Sequence, residues 1–578
     1  MKNIIGYSFW GFSLLFTSLF SGCTDSFEKM NVDPINPPFI EKPVVPDLPG
    51  DDDINLGKEI SSEELSQLVQ MSGRIQSSFK TFSYEGVYND YQRASNLTHD
   101  IYAGYFANNN PNFNSSSPNY VYTDGWSAKR WDHFYKERCK EYSELVRYFW
   151  YVDHAKHRNA FYITRIYFAF IASQITDTYG PIPFAAYVKG NQVDAKVKYD
   201  SQKDVYDMLF RILGQAVDSI KPGESSFVFG KEDNCYRGDE QKWVRFANTL
   251  RLRLALRISN VDPARARKEG EAALASVTGL MQTDSDNMTT TPRYAPEDLG
   301  GDNAGGDENI LALCSFNYLD CVMSKDIELA YKNLGRVEDP RMGRLWFRPS
   351  PKSRLERGRE SSADFNGCEI GNDEVNRASD VYSVLRCNVW ESKVLNDEYW
   401  FGYSRESVWL GYSESLFLRA EAALRGWAGA GQSAEEYFRQ GIKASFSYFR
   451  LGEGVADDYI SGLNCLDGDN NVFNKGDKEA ILESIISQKW LALFPNGNEA
   501  WAEFRRTDYP RLRNHINNKS GDVAINKFIK RLRYPNDEFD YNADNVPSEY
   551  FRQDARLWWD VSDTNTSSGE RNVTNNFR

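Results

Sequence analysis

Histidine is scarce in this chain. Its 578 residues hold five, His99, His133, His154, His157 and His515, and these are scattered. There is no H-E-x-x-H, and none of the eight cysteines forms a C-x-x-C pair, so the usual zinc-ligand spacings are missing. A G-x-S-x-G elbow, a P-loop and a G-x-G-x-x-G turn after a strand are missing as well. These gaps exclude the common motif-borne hydrolases, nucleotide hydrolases and dinucleotide enzymes. His154 and His157 are three apart and read as a surface pair on one helix face. The stretch DGDNNVFNKGDKE (467–479) begins like a calcium loop with Asp467, Asp469 and Asn471. Its sixth position is Val472 in place of glycine and its twelfth is Lys478 in place of glutamate, so an EF-hand is rejected. No metal, no cofactor and no cysteine catalysis is expected. Basic residues, 68 in all, are outnumbered by 82 acidic ones, giving a net charge of −14. A nucleic-acid surface needs clustered cations, so no nucleic-acid partner is expected.

Long apolar runs are also few. The first, at the N-terminus, is shorter than the ~20 apolar residues of a membrane-spanning helix, and no later run is long enough. Residues 1–22 have the parts of a secretory signal: Lys2, a mostly apolar middle from Ile4 to Phe20, and small Ser21-Gly22 before Cys23. That ending resembles a bacterial lipobox, in which the cysteine receives lipid, although Phe20 stands where leucine is usual. Residues 23–60 follow as a tether. Pro34, Pro37, Pro38, Pro43, Pro46 and Pro49 favour extended chain of about 3.1 Å per residue, which suits a body held away from a membrane. The other seven cysteines are Cys139, Cys235, Cys314, Cys321, Cys368, Cys387 and Cys465, an odd number in a chain too large to need disulfides.

Aromatic side chains are abundant: 14 Trp, 33 Tyr and 35 Phe. Most must be core, but those in loops offer flat faces on which a sugar ring can stack. The remaining pattern is helical. In 407–449, Trp409, Tyr412, Leu416, Ala420 and Ala423 step by three and four along one helical face. Gly426, Gly429 and Gly431 then interrupt the pattern. Ser433 with Glu436 forms a capping box that starts the next helix, where Gly441, Ala444 and Ser445 are small enough for close helix approach. This is a tetratricopeptide-like pair. A second pair spans 201–258, a further helix covers 266–277, and another carries Leu482, Ile485, Trp490 and Leu493. Residues 61–80, 88–107, 126–151 and 158–175 read as helices too. Between 279 and 405 the pattern gives way to Gly, Asn, Asp and Pro, as in PEDLGGDNAGGDEN (296–309). That is an irregular insertion, and long loops are where binding sites usually lie.

Eight segments in order carry a family resemblance: the lipobox with FEKMNVDPINP, WDHFY (131–135), ITDTYGPIPF (175–184), VEDPRM (337–342), YSESLFLRAEAALRGW (412–427), SQKWLALFPNGNEAWAEFRRTDYP (487–510), RLRYPNDEFDYN (531–542) and WWD (558–560). Together they resemble the SusD/RagB outer-membrane nutrient-binding lipoproteins of Bacteroidetes. The resemblance implies a mainly α fold, with four tetratricopeptide-like helical pairs packed against an irregular loop-rich half and few short strands. One nutrient-binding domain would then occupy 61–578. It also implies a cell-surface protein, lipid-anchored in the outer membrane through Cys23, that binds a glycan or peptide and hands it to a SusC-like TonB-dependent transporter. No catalysis is expected; a surface glycoside hydrolase and a pure protein scaffold are the alternatives. Within these family-marking segments Trp131, Tyr135, Trp490, Trp501 and Arg505-Arg506 read as packing residues, and YPNDE as a turn against the body.

The family places its site on the loop-rich half, after the early helices and in the middle insertion. Here that points to YAGYFANNNPNFNSSSPNYVYTDGW (102–126), where amides suit vicinal hydroxyls and aromatics offer stacking faces. The expected ligand-binding residues are Tyr105, Asn108, Asn109, Phe113, Tyr120 and Trp126, joined by Tyr318, Trp346 and Trp390 from the insertion.

Overall fold

Where apolar residues recur every three or four positions, the chain is helical. The computed structural model describes residues 54–57, 59–83, 91–191, 193, 196–290, 310–312, 314–315, 318–350, 363–377, 380–387, 401, 406–561 and 576–577. The expected signal, Cys23, most of the tether and Trp390 lie outside the described residues. Among the described residues nine of the helices carry the scaffold: α1 (Cys139–Tyr151), α2 (His154–Tyr179), α3 (Gln202–Ser219), α4 (Glu240–Arg257), α5 (Pro263–Leu274), α6 (Tyr412–Leu424), α7 (Ala434–Tyr448), α8 (Lys478–Leu493) and α9 (Gly497–Thr507). They pack as the pairs α1–α2, α3–α4, α6–α7 and α8–α9, with α2 against α3 and α6 against α8 linking one pair to the next. The strands among the described residues are two to four residues long and form three antiparallel two-stranded ladders. The architecture is mainly α, with helical pairs and an irregular half.

Local chemistry sets the boundaries. Ser433 Oγ accepts from the Glu436 amide at 3.2 Å while the Glu436 carboxylate accepts from the Ser433 amide at 2.9 Å, closing the capping box before α7. A Cβ on Gly441 would sit 2.8 Å from Phe417 Cζ, so glycine is what lets α6 and α7 meet. Leu416, Phe417, Phe438 and Ile442 are buried between them, each contributing about 1.5–3 kcal/mol relative to exposure. Trp409, expected on the α6 face, lies instead in strand β6 (Ser407–Leu410), which pairs with β2 (Met288–Thr290). Its indole N–H donates to Thr290 Oγ1 at 2.9 Å.

Two further readings change. His154 and His157 are buried, not on the surface. Their Nδ1 atoms bond the carbonyls of Phe149 (3.1 Å) and Val152 (2.7 Å), closing the tight α1–α2 turn, and burial lowers both pKa values. The body also begins before residue 61. Ile54 and Leu56 are buried, Arg165 donates to the Ile54 carbonyl at 2.9 Å, and Trp150 and Tyr151 both donate to that of Gly57.

The helical pairs are joined by a buried ionic network. Arg253 and Arg257, four apart on α4, face Glu499 and Glu503, four apart on α9. Arg257 forks onto Glu499 with two 2.7 Å bonds and also pairs with Glu503. Arg253 binds Glu414 of α6 at 2.6 and 2.8 Å. Arg506 binds Glu421 at 2.7 Å through both nitrogens and Glu503 at 2.7 Å, while Lys489 lies 3.1 Å from Glu503. All these side chains are buried. Burial by itself would raise the Glu503 pKa, but Arg506, Lys489 and Arg257 more than reverse that and hold it well below the usual range. Beside the network, α9 starts at Gly497, where a Cβ would meet Asp100 Oδ1 at 2.2 Å.

Candidate ligand-binding platform

Strand β1 (Phe106–Asn108) pairs antiparallel with β3 (Cys321–Met323), Asn108 opposite Cys321. This ladder brings the segment after the early helices against the middle insertion, and amides then lock the two together. Asn108 accepts from the Asn110 amide and donates to the Asn110 carbonyl and to Asn114 Oδ1, each at 3.0 Å. The Asn109 amide donates to the Asp320 carbonyl at 2.8 Å and its side chain to that of Leu319 at 3.2 Å. Asn110 caps the turn Pro111–Phe113 and donates to Asp320 Oδ1 at 2.8 Å. Asp320 also accepts from Gln92 and lies 3.6 Å from Arg377 Nε. Burial raises the Asp320 pKa, opposed by the Asn110 bond, the Arg377 charge and the Gln92 bond. Arg377 Nε in turn donates to the Tyr318 carbonyl at 2.7 Å. On the other side Asn114 donates to the Asp373 carbonyl at 3.0 Å, and Lys519 pairs with Asp373 at 2.9 Å. Three segments distant in sequence, 108–119, 318–320 and 372–377, thus make one rigid polar frame.

Aromatic side chains stand outside this frame. Tyr318 is 40% exposed. Phe113 and Trp126 are half-buried and meet edge to face, 5.2 Å between centroids at 83°. Of the expected residues, these three retain surface that a ligand can touch.

The others do not. Tyr105 is fully buried: its hydroxyl donates to the Trp490 carbonyl at 2.6 Å, and Trp490 and Phe494 pack on its ring. Tyr120 is buried in a left-handed turn (φ 62°) against Tyr102 and His515. Trp346, in β4 (Trp346–Phe347), is buried against Phe106 and Phe494. Asn108 and Asn109 are buried within the frame. The sequence reading missed Asn110, Asp320 and Arg377. Asn110 and Asp320 are 210 residues apart, and nothing local marks them as partners. Asn110-Pro111 is itself a turn signal, the one clue the segment offers. A separate cleft of about 500 Å³ lies between the start of α4, residues 284–289 and β6, lined by Arg237, Lys242, Asp284, Glu406 and Tyr448.

The packing residues sit where expected. Trp131 is buried beside Tyr135, Tyr179 and Tyr534, and donates to Glu538 of the YPNDE turn at 3.3 Å. Asp467, first residue of the discarded calcium loop, pairs with Arg336 at 2.6 Å.

Tetratricopeptide-like helical pairs carrying a loop-built face define a mainly helical protein whose polar-aromatic platform stands apart from its scaffold. A family model described as Susd and RagB outer membrane lipoprotein, SusD-like, matches residues 53–560, and the chain belongs to that family. Among solved structures it is similar to a chitin-binding SusD homolog from Flavobacterium johnsoniae, at 26% identity over 86% of this chain and 100% of that one, TM-score 0.68. It is likewise similar to a SusD homolog from Bacteroides vulgatus ATCC 8482, at 26% identity over 88% and 100% of the two chains, TM-score 0.68. A SusD homolog from Parabacteroides distasonis ATCC 8503 shares the fold at 24% identity over 86% and 99%, TM-score 0.70. No curated protein matches the chain. Among the described residues no helix is long and apolar enough to cross a membrane.

Proposed function

We propose that this protein is a non-catalytic glycan-binding lipoprotein, anchored at the outer-membrane surface through Cys23, that passes an oligosaccharide to a TonB-dependent transporter. The observation that carries the reading is the platform: exposed Tyr318 and the half-buried Phe113–Trp126 pair around a frame tied by hydrogen bonds among residues 108–114, 318–320 and 373–377. Such a surface loses little conformational freedom when a sugar lands on it, and preorganisation of this kind lowers the cost of binding. Shallow stacking also leaves release to a transporter easy. The chitin-binding relative from Flavobacterium makes N-acetylglucosamine oligomers the first ligands to test. Binding without hydrolysis is favoured by the carboxylates themselves. Asp320 is buried beneath the face, and the network glutamates are locked in ion pairs.

Isothermal titration of the wild type, Tyr318→Ala and Trp126→Ala with chitin oligomers and a panel of other glycans tests this. Either substitution should weaken a matching ligand about tenfold, or 1.4 kcal/mol, with an unchanged thermal midpoint for Tyr318→Ala. Unchanged affinity in both would move the ligand to the cleft beside Tyr448. Released reducing ends would restore the hydrolase reading, and binding of peptides alone would make the ligand a peptide.

A further inference from the structure

Residues 576–577 seat in a built notch on the helical half. Asn576 is 1% exposed. Its amide donates to Glu479 Oε1 at 2.5 Å, and its side-chain Nδ2 donates to Glu479 Oε2 at 3.1 Å and to the Thr507 carbonyl at 3.3 Å. Its Oδ1 accepts from Asn260 Nδ2 at 2.8 Å and its carbonyl from Arg425 Nη1 at 3.1 Å. One asparagine therefore bonds groups from the α4–α5 turn, the α6 end, the α8 start and the α9 end. Phe577 follows, its ring centroid 5.0 Å from the Arg425 guanidinium and 5.6 Å from the Lys478 ammonium, over Leu482, Ile486 and Tyr509.

The notch selects by chemistry. Aspartate at 576 would present an anion to Glu479 and lose both Nδ2 bonds, and glutamine is one methylene too long for the same partners. Two cations flanking one ring favour an aromatic side chain in the next position. We propose that this notch is a recognition site for a peptide segment reading asparagine then aromatic, whose occupant is the chain's own tail held in cis. Receptor and ligand are then parts of one molecule. A tethered segment competes at an effective concentration on the order of millimolar, which keeps the notch closed to micromolar peptide.

The test uses the full chain carrying Asn576→Asp and Phe577→Ala, which vacates the notch without altering its walls, and a labelled peptide of residues 571–578. Fluorescence anisotropy should show saturable binding to this variant, at least tenfold weaker binding to wild type, and at least tenfold weaker binding of a peptide bearing the Asn576→Asp change. A folded variant that binds neither peptide, or both equally, overturns the proposal. Should the double variant not fold, Phe577→Ala alone in the full chain serves, because it removes the ring held beside Arg425 and Lys478 and leaves every wall residue of the notch in place. Peptide uptake above the wild-type level supports the site, and none refutes it.

Discussion

Replacing Glu503 by glutamine removes one charge from the buried network while preserving its shape. In the native protein this carboxylate accepts from Arg257 and Arg506 and lies 3.1 Å from Lys489, all of them buried. Glutamine leaves three cations facing one fewer anion, and uncompensating a buried charge costs about 3–5 kcal/mol. A body of about 500 residues unfolding with roughly 2.1 cal/mol/K per residue has an entropy of about 1 kcal/mol/K, so the midpoint should fall about 3–5 °C. The acid side provides a second reading. The folded Glu503 pKa lies well below its ordinary value, held there by Arg506, Lys489 and Arg257 against the opposing effect of burial. Its contribution is therefore complete above the unfolded glutamate pKa of about 4.3 and is lost as pH falls below that toward the folded value. Calorimetry from pH 7 to 3 should show Glu503→Gln losing less stability on acidification than wild type. Adding Lys489→Met to Glu503→Gln rebalances the charge and should recover much of the midpoint. A midpoint unmoved by Glu503→Gln, or a further loss on adding Lys489→Met, would refute the network as a charge-balanced unit.

Gly497→Ala drives a Cβ to 2.2 Å from Asp100 Oδ1 and should cost the roughly 1–3 kcal/mol of overpacking, read as a lower urea midpoint. Tyr105→Phe removes the hydroxyl bonded to Trp490 and should cost about 0.5–1.5 kcal/mol with glycan affinity unchanged; an affinity loss would return Tyr105 to the site. Cys23→Ala should leave the protein folded but absent from the membrane fraction, and fatty-acid label retained by the variant would sink the anchor assignment.

The helical half was legible because its information is local. The Ser433–Glu436 cap, the small residues of α7 and the apolar steps of α6 and α8 each lie within one or two turns. The ionic network was half-legible: Arg253 and Arg257 repeat at four, as do Glu499 and Glu503, but only the fold sets the two stripes face to face. The platform was least legible. Tyr105, Tyr120 and Tyr318 are the same residue in similar polar surroundings, and what separates core from surface is a ladder and hydrogen bonds that bridge some two hundred residues. Trp409 misled because apolar spacing continues from β6 into α6 without a break.

The bond that fixes Arg377 ends on the main-chain carbonyl of Tyr318, and those that fix residues 108–110 end on backbone, on Asn114 or on the buried Asp320. Exchange of the side chain at 318 leaves every one of these contacts in place. On the proposed glycan-binding reading, a lineage changes what its surface prefers at position 318 while the architecture is kept, and a directed library confined to that position should yield folded proteins of altered preference at high frequency.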